Sequence, residues 1–196
     1  MSRSGKERDR RAYRGNALSG SVSGGAVQAG VVHGGIAFHS APSTPPPPPR
    51  QLLGAPAHFT DRAAELAELN DALAENRREG TRMFAMLSGP GGVGKTALAL
   101  HWAHPTRDRF ADGQLYVDLA GFSGSDPVPP EDALGLFLRS LGVPSQEVPV
   151  DIAEQSALYR SLTADKRLLV LLDNAYSAAQ VRPLAPNSPA SAVLVT

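Results

Sequence analysis

The spacing of apolar side chains predicts where the chain is helical and where it is extended. Large aliphatic residues recur three or four positions apart between Leu66 and Leu73, which is the spacing of an amphipathic helix. Thr60 or Asp61 is the expected N-cap of this helix, and Gly80 is the expected stop. The chain therefore has a strong helix ahead of its first strand.

Short apolar runs alternate with helical patterns along the rest of the chain. Strands are predicted at 83–88, 114–119, 167–172 and 192–196, and helices at 95–103, 131–141, 152–162 and 175–181. The third run is apolar throughout, which is typical of a strand covered on both faces. This alternation predicts an α/β fold with a parallel sheet, flanking helices and right-handed crossovers. The last strand reaches the end of the sequence, so we expect the sheet to be incomplete at its C-terminal end.

Composition divides the chain into three zones. Residues 1–40 are polar and glycine-rich, which predicts a disordered segment. Residues 41–51 include five consecutive prolines and favour an extended polyproline II linker. Residues 52–196 have the composition of a globular domain. We expect a single folded domain behind an N-terminal leader.

Charge and cysteine content narrow the function classes. Acidic and basic residues balance at 19 each, so the net charge gives no reason to expect nucleic-acid binding. Arginines crowd residues 1–14, which favours a solvated tail over contact with an acidic surface. The sequence has no cysteine, no apolar stretch of membrane-spanning length and no secretory signal, so a cytoplasmic protein without a membrane partner is expected. Five histidines show no metal-ligand pattern, and His101 and His104 are expected to have packing or surface roles.

Residues 89–96 fit the phosphate-binding pattern G-x-x-x-x-G-K-S/T, between a predicted strand and a predicted helix. Glycines allow successive backbone N–H groups to face one anion, and the helix start adds its positive end. Lys95 would reach the β- and γ-phosphates, and the Thr96 hydroxyl would bind Mg²⁺. The flanking pattern disfavours a plain Gly-Pro turn. The predicted nucleotide contacts in this loop are Gly89, Pro90, Gly91, Gly92, Val93, Gly94, Lys95, Thr96 and Ala97.

An acidic residue closes the most apolar strand. In P-loop proteins such a residue, here Asp173, lies near the magnesium ion of the nucleotide. Mg²⁺ prefers oxygen ligands and keeps several waters, so Thr96 and Asp173 would suffice as its protein ligands. The alternative is that Asp173 caps a helix beginning near Ala175. Lys95 and Asp173 are the predicted catalytic residues. Asn174 stands where a second acid could act as a base, so at most a slow NTPase is expected.

Seven segments carry a family resemblance over about residues 52–196. They are residues 58–62, the helix after them, SGPGGVGKTALALHWAH, GQLYVDLAGF, ALYRSL, KRLLVLLDNA and AVLVT. In this order they resemble the NB-ARC type of STAND ATPase of bacterial regulators, often followed by tetratricopeptide repeats. The resemblance implies a signal-transducing ATP/ADP switch that rests with ADP and forms a homo-oligomer with ATP.

The same resemblance assigns further roles. It implies that Phe59 and Arg62 pack on adenine and that Asp173 is the acid associated with Mg²⁺. The family usually has glycine where this chain has Asp61, so the backbone there is expected to differ. The arginine that senses the γ-phosphate in the family would follow Thr196, which makes an N-terminal fragment of a longer protein the expectation.

Residues 16–35 are uncharged and rich in glycine and small apolar side chains. Their centre, Val27-Gln28-Ala29-Gly30, resembles the V/I-Q-x-G core of RHIM-like bacterial amyloid-signalling motifs, and such a stretch could stack into a cross-β ladder. The resemblance implies assembly with an effector that carries a matching motif. A flexible leader without a role is the alternative.

Three functions follow from these patterns. The first is a nucleotide-gated signalling switch whose oligomerisation clusters the N-terminal segment. The second is the nucleotide-binding part of a transcriptional regulator of secondary metabolism, although residues 1–51 show no helix-turn-helix and no direct nucleic-acid contact is expected. The third, a fast metabolic or transport ATPase, is disfavoured by Asn174.

Overall fold

A computed structural model describes residues 46–56, 59–60, 62–122 and 126–196. These residues lie within one compact unit, Pro45–Thr196. The strands are β1 (Met83–Met86), β2 (Gly113–Asp118), β3 (Leu168–Asp173) and β4 (Ala192–Val195). The α-helices are α1 (Ala63–Glu79), α2 (Lys95–Thr106), α3 (Pro130–Ser140), α4 (Ile152–Thr163) and α5 (Ala178–Val181). Short 3₁₀ helices occupy Arg107–Arg109, Ser145–Glu147 and Arg182–Leu184.

The four strands form one parallel sheet in the order β1-β4-β3-β2, which confirms the predicted α/β fold. β2 and β3 pair from Gly113 with Leu168 to Asp118 with Asp173. β4 lies between β3 and β1, so the chain crosses the sheet between β1 and β2. Because all strands are parallel, the loop after β1 and the acid that ends β3 lie at the same edge of the sheet. This is the edge at which open α/β sheets bind ligands.

Both faces of the sheet are covered by helices. Residues of β3 alternate between two apolar clusters, as the side chains of a strand must. Leu168, Val170 and Leu172 belong to the cluster that includes residues of α3 and α4, and Leu169 and Leu171 belong to the cluster that includes residues of α1 and α2. Every residue of β3 is buried. The prediction of a strand covered on both faces is confirmed.

Several predicted helix ends differ from those in the structure. Gly80 does end α1, with φ of 67° and its N–H bonded to the carbonyl oxygen of Asn76. The predicted N-cap at Thr60 or Asp61 is wrong, because α1 begins at Ala63 and Arg62 occupies the cap position without a side-chain cap hydrogen bond. The helix predicted at 175–181 is shorter and begins at Ala178. Its N-cap is Ser177, whose side chain accepts from the N–H of Gln180, so Asp173 does not cap it.

Part of the predicted proline-rich linker, residues 46–51, lies along the outer edge of β2. The backbone N–H of Gln114 donates to the carbonyl oxygen of Pro49 at 2.7 Å, and the N–H of Gln51 donates to the carbonyl oxygen of Gln114 at 3.0 Å. The Gln51 side-chain oxygen accepts from the N–H of Tyr116 at 3.2 Å. This segment occupies hydrogen-bonding groups that an edge strand would otherwise leave open.

Contact between this segment and β2 requires glycine at position 113. Gly113 has φ of 134°, and a Cβ there would lie 2.6 Å from the Pro49 ring and 2.9 Å from its carbonyl oxygen. Gly113→Ala should lower the free energy of unfolding by about 2–3 kcal/mol, through backbone strain and this clash. Chemical denaturation would measure the loss.

Gly54→Ala is the matched control, because a Cβ at Gly54 meets nothing within 4 Å. If Gly113→Ala and Gly54→Ala unfold at the same denaturant concentration, the described contact does not stabilise the protein.

Candidate functional site

The loop between β1 and α2 is exposed along residues 88–94. Gly92 and Gly94 have φ of 76° and 90°, a conformation that other residues rarely adopt. A Cβ built at Gly91 or Gly92 meets nothing within 4 Å, so the backbone faces open space there. Gly94 is the N-cap of α2, and glycine has no side chain that could cap the helix. The first N–H groups of α2 are therefore available to an anion.

Lys95, the first residue of α2, extends back over the loop. Its Nζ donates to the carbonyl oxygens of Gly89 at 3.0 Å and Pro90 at 3.1 Å. Among the described residues, no carboxylate forms an ion pair with Lys95. The loop thus holds an ammonium group by neutral carbonyls alone, and its positive charge stays uncompensated. This charge and the positive end of the α2 dipole therefore lie at the same loop.

Asp173 and the P-loop meet through a direct hydrogen bond. The Thr96 hydroxyl donates to Oδ1 of Asp173 at 2.7 Å, although the two residues are 77 positions apart. The Thr196 hydroxyl donates to the same oxygen. The Tyr116 hydroxyl donates to Oδ2 at 3.2 Å. Asp173 is only 4% exposed, so these hydroxyl groups replace water around its carboxylate.

The donor set fits a magnesium ion that arrives with a nucleotide. A hydroxyl group has one proton and two lone pairs, and the Thr96 proton is directed at Asp173. The Thr96 oxygen therefore keeps lone pairs for a cation. No group of three or more His, Cys, Asp or Glu residues suited to a metal occurs in the part of the chain that the structure describes. A cation here would depend on phosphate and water oxygens as well, which Mg²⁺ accepts.

Asn174 joins the ends of three strands through its hydrogen bonds. Its backbone has φ of 53°, in the left-handed region where asparagine is tolerated. Its side-chain N–H donates to Asp118 at 3.0 Å, and its backbone N–H donates to the Thr196 hydroxyl at 3.2 Å. Asn174 thereby fixes the backbone that follows Asp173. Sequence reasoning missed Tyr116, Thr196 and Asp118, because their roles depend on strand register.

Arg62 connects the start of α1 to the P-loop. Its guanidinium donates to the carbonyl oxygen of Val93 at 2.9 Å and to Glu65 at 2.9 Å. A backbone hydrogen bond and, after it, the Arg62 guanidinium lower the pKa of Glu65 below its ordinary value. A cavity of about 440 Å³ opens beside these groups, between α1, the end of β1 and Lys95.

Phe59 and Arg62, the two residues predicted to pack on adenine, contact different parts of the structure. The Phe59 ring stacks on His101 of α2, with centroids 4.0 Å apart and an interplanar angle of 15°. His104 lies on the same helix with Nε2 2.8 Å from the carbonyl oxygen of Leu53. Packing roles for both histidines agree with these contacts. Contact of Phe59 and Arg62 with adenine stays a prediction, and Asp61 lies outside the described residues.

This chain is similar in sequence to two known proteins. This chain is 51% identical over 152 residues to "Regulatory protein AfsR" of Streptomyces coelicolor, and 49% identical over 149 residues to the protein of that name from Streptomyces griseus. Each alignment covers 76% of this chain. The chain is similar to part of a regulatory protein. It spans about 15% of the length of these two relatives. No protein-family model matches the chain.

Solved structures give a weaker likeness. The ORC2 protein of Aeropyrum pernix in its ADPNP–ADP complexes has a TM-score of 0.45 and 20% identity, over 73% of this chain and 43% of that one. Its ADP form has a TM-score of 0.44 and 20% identity, over 72% and 43% of the two chains.

A further prediction lies outside the residues that the structure describes. The glycine-rich motif at residues 16–35 falls among residues that the structure does not describe, so the amyloid-signalling hypothesis stays a prediction. None of the described helices is both long enough and apolar enough to cross a membrane.

Proposed function

We propose that this chain is the nucleotide-binding domain of a regulatory protein and that it binds ATP and ADP together with Mg²⁺. The observation that carries the proposal is the hydrogen bond between Thr96 and Asp173. It joins the start of α2 to the end of β3 and brings the two predicted magnesium-associated residues together. The regulatory role rests on 51% identity to a protein named for regulation.

We assign each part of the bound nucleotide to the groups whose chemistry suits it. Backbone N–H groups of Gly91 to Ala97 face the phosphates, and Lys95 neutralises their charge once it leaves its loop carbonyls. Thr96 and Asp173 would hold the magnesium ion. A bound Mg²⁺ would neutralise charge on the β- and γ-phosphates. Arg62 keeps the loop close to α1, next to the cavity in which we place the nucleoside.

The site favours holding a nucleotide over consuming it quickly. An amide cannot take a proton from water, and the Asn174 amide already donates to Asp118. The Asp118 carboxylate also accepts from the N–H of Ala120 at 2.9 Å, so both neighbours engage the same oxygen. Because Asn174 stands where a second acid could act as a base, we propose slow hydrolysis that times a switch.

The regulatory output that we propose is control of transcription in secondary metabolism, with nucleotide-dependent self-association as the intermediate step. The similarity to AfsR supports this output over homotypic signalling through residues 16–35, since the relatives are named as regulatory proteins. DNA contact by the described domain is not part of the proposal, because the chain carries balanced charge.

Lys95→Ala should abolish measurable ADP binding, because it removes the cation that faces the phosphates. Isothermal titration calorimetry on the whole chain would measure this loss, expected at about 100-fold or more in affinity. Lys166→Ala is the matched control, since Lys166 lies at the opposite end of β3. Equal affinity of the Lys95→Ala variant and the wild type would place nucleotide elsewhere and contradict the site.

Hydrolysis under single-turnover conditions separates a switch from a metabolic ATPase. With radiolabelled ATP and excess protein, we expect a rate constant below about 0.01 per second, in the range of unassisted switch GTPases. A rate of about 1 per second or faster is typical of metabolic enzymes and would overturn the proposed switch. The Lys95→Ala variant serves as the background measurement.

A further inference from the structure

We propose that Tyr116 is a positioning residue that fixes the carboxylate of Asp173 for the cation bound with the nucleotide. This inference rests on the proposed function and deepens it. Tyr116 belongs to β2, the neighbour of β3, and was not among the residues that the sequence pattern indicated. Nothing in the comparisons assigns it a role.

The two oxygens of the carboxylate have separate partners. Oδ1 accepts from the hydroxyls of Thr96 and Thr196, while Oδ2 accepts from the Tyr116 hydroxyl at 3.2 Å. The terminal torsion of an aspartate is broad and weakly restrained on its own. Contacts to both oxygens fix that rotation. Oδ1 therefore stays directed at the P-loop, and Tyr116 supplies the only described hydrogen bond to Oδ2.

Tyr116 is itself held in place by the strands around it. Its backbone N–H donates to the Gln51 side chain at 3.2 Å, and it lies opposite Leu171 in the β2–β3 register. A phenolic hydroxyl carries one proton that it can donate, and here the described acceptor is Oδ2 of Asp173.

This arrangement has a specific energetic consequence. A carboxylate that is already oriented need not reorganise when a cation arrives, so second partners of this kind raise metal affinity. The described hydrogen bonds of Tyr116 go to Gln51 and Asp173, and none goes to the P-loop glycines or Lys95. Its loss should therefore weaken the effect of Mg²⁺ on nucleotide binding and leave binding of the nucleotide alone nearly unchanged.

Tyr116→Phe tests this prediction on the whole chain. ADP affinity is measured by calorimetry in Mg²⁺ and again in EDTA, and the ratio of the two affinities is the readout. We expect the ratio to fall about tenfold or more, as for loss of a hydrogen bond to a charged group that orients a metal ligand. The affinity in EDTA should stay within about twofold of the wild type, since the phosphate contacts are retained.

Tyr159→Phe is the matched control. It removes the same group from a fully buried tyrosine of α4 whose hydroxyl has no hydrogen-bond partner among the described residues. This variant should keep the wild-type ratio. Thermal denaturation without nucleotide confirms that both variants are folded.

Two results would overturn the role of Tyr116. One is an unchanged or increased ratio in Tyr116→Phe, and the other is an equal loss of affinity in Mg²⁺ and EDTA, which indicates a merely structural residue. If the wild type binds no ADP, or binds it without help from Mg²⁺, the proposed function itself fails. That failure is visible before any variant is made.

Discussion

The carboxylate of Asp173 is the point on which the site depends. It ends a strand that is buried along its whole length and is itself 4% exposed, so water cannot satisfy it. A buried carboxylate is costly unless hydrogen bonds replace its hydration. Here the replacements come from α2, from β2 and from the residue after β4. Hydrogen bonds to this one carboxylate therefore link β2, β3, the residue after β4 and α2 at one edge of the sheet.

The sequence was sufficient to predict the fold and the position of the glycine loop between a strand and a helix. The all-apolar run before Asp173 indicated a doubly covered strand, and the glycine loop between strand and helix placed Lys95 and Thr96 at a helix start. These predictions depend on local patterns, which a single sequence displays. The stop at Gly80 belongs to the same class, because a left-handed residue after a helix favours glycine.

What could not be predicted depends on contacts between distant segments. Tyr116 reaches Asp173 only because β2 and β3 pair in one particular register, and no local pattern encodes register. The consecutive prolines predicted an extended chain. Their contact with β2 was not predicted, and it depends on the absence of a side chain at Gly113. The contacts of Arg62 with Val93 and Glu65 also join separate segments and were not predicted.

Hydrogen exchange on the whole chain, with and without ADP and Mg²⁺, tests the central claim most directly. If nucleotide binds at the edge that holds the P-loop and Asp173, slower exchange should appear in peptides covering residues 89–97 and 173–174. Peptides from the opposite end of the sheet, around Arg167, should not change. Protection confined to that opposite end, or no protection at the P-loop at saturating ADP, would contradict the account.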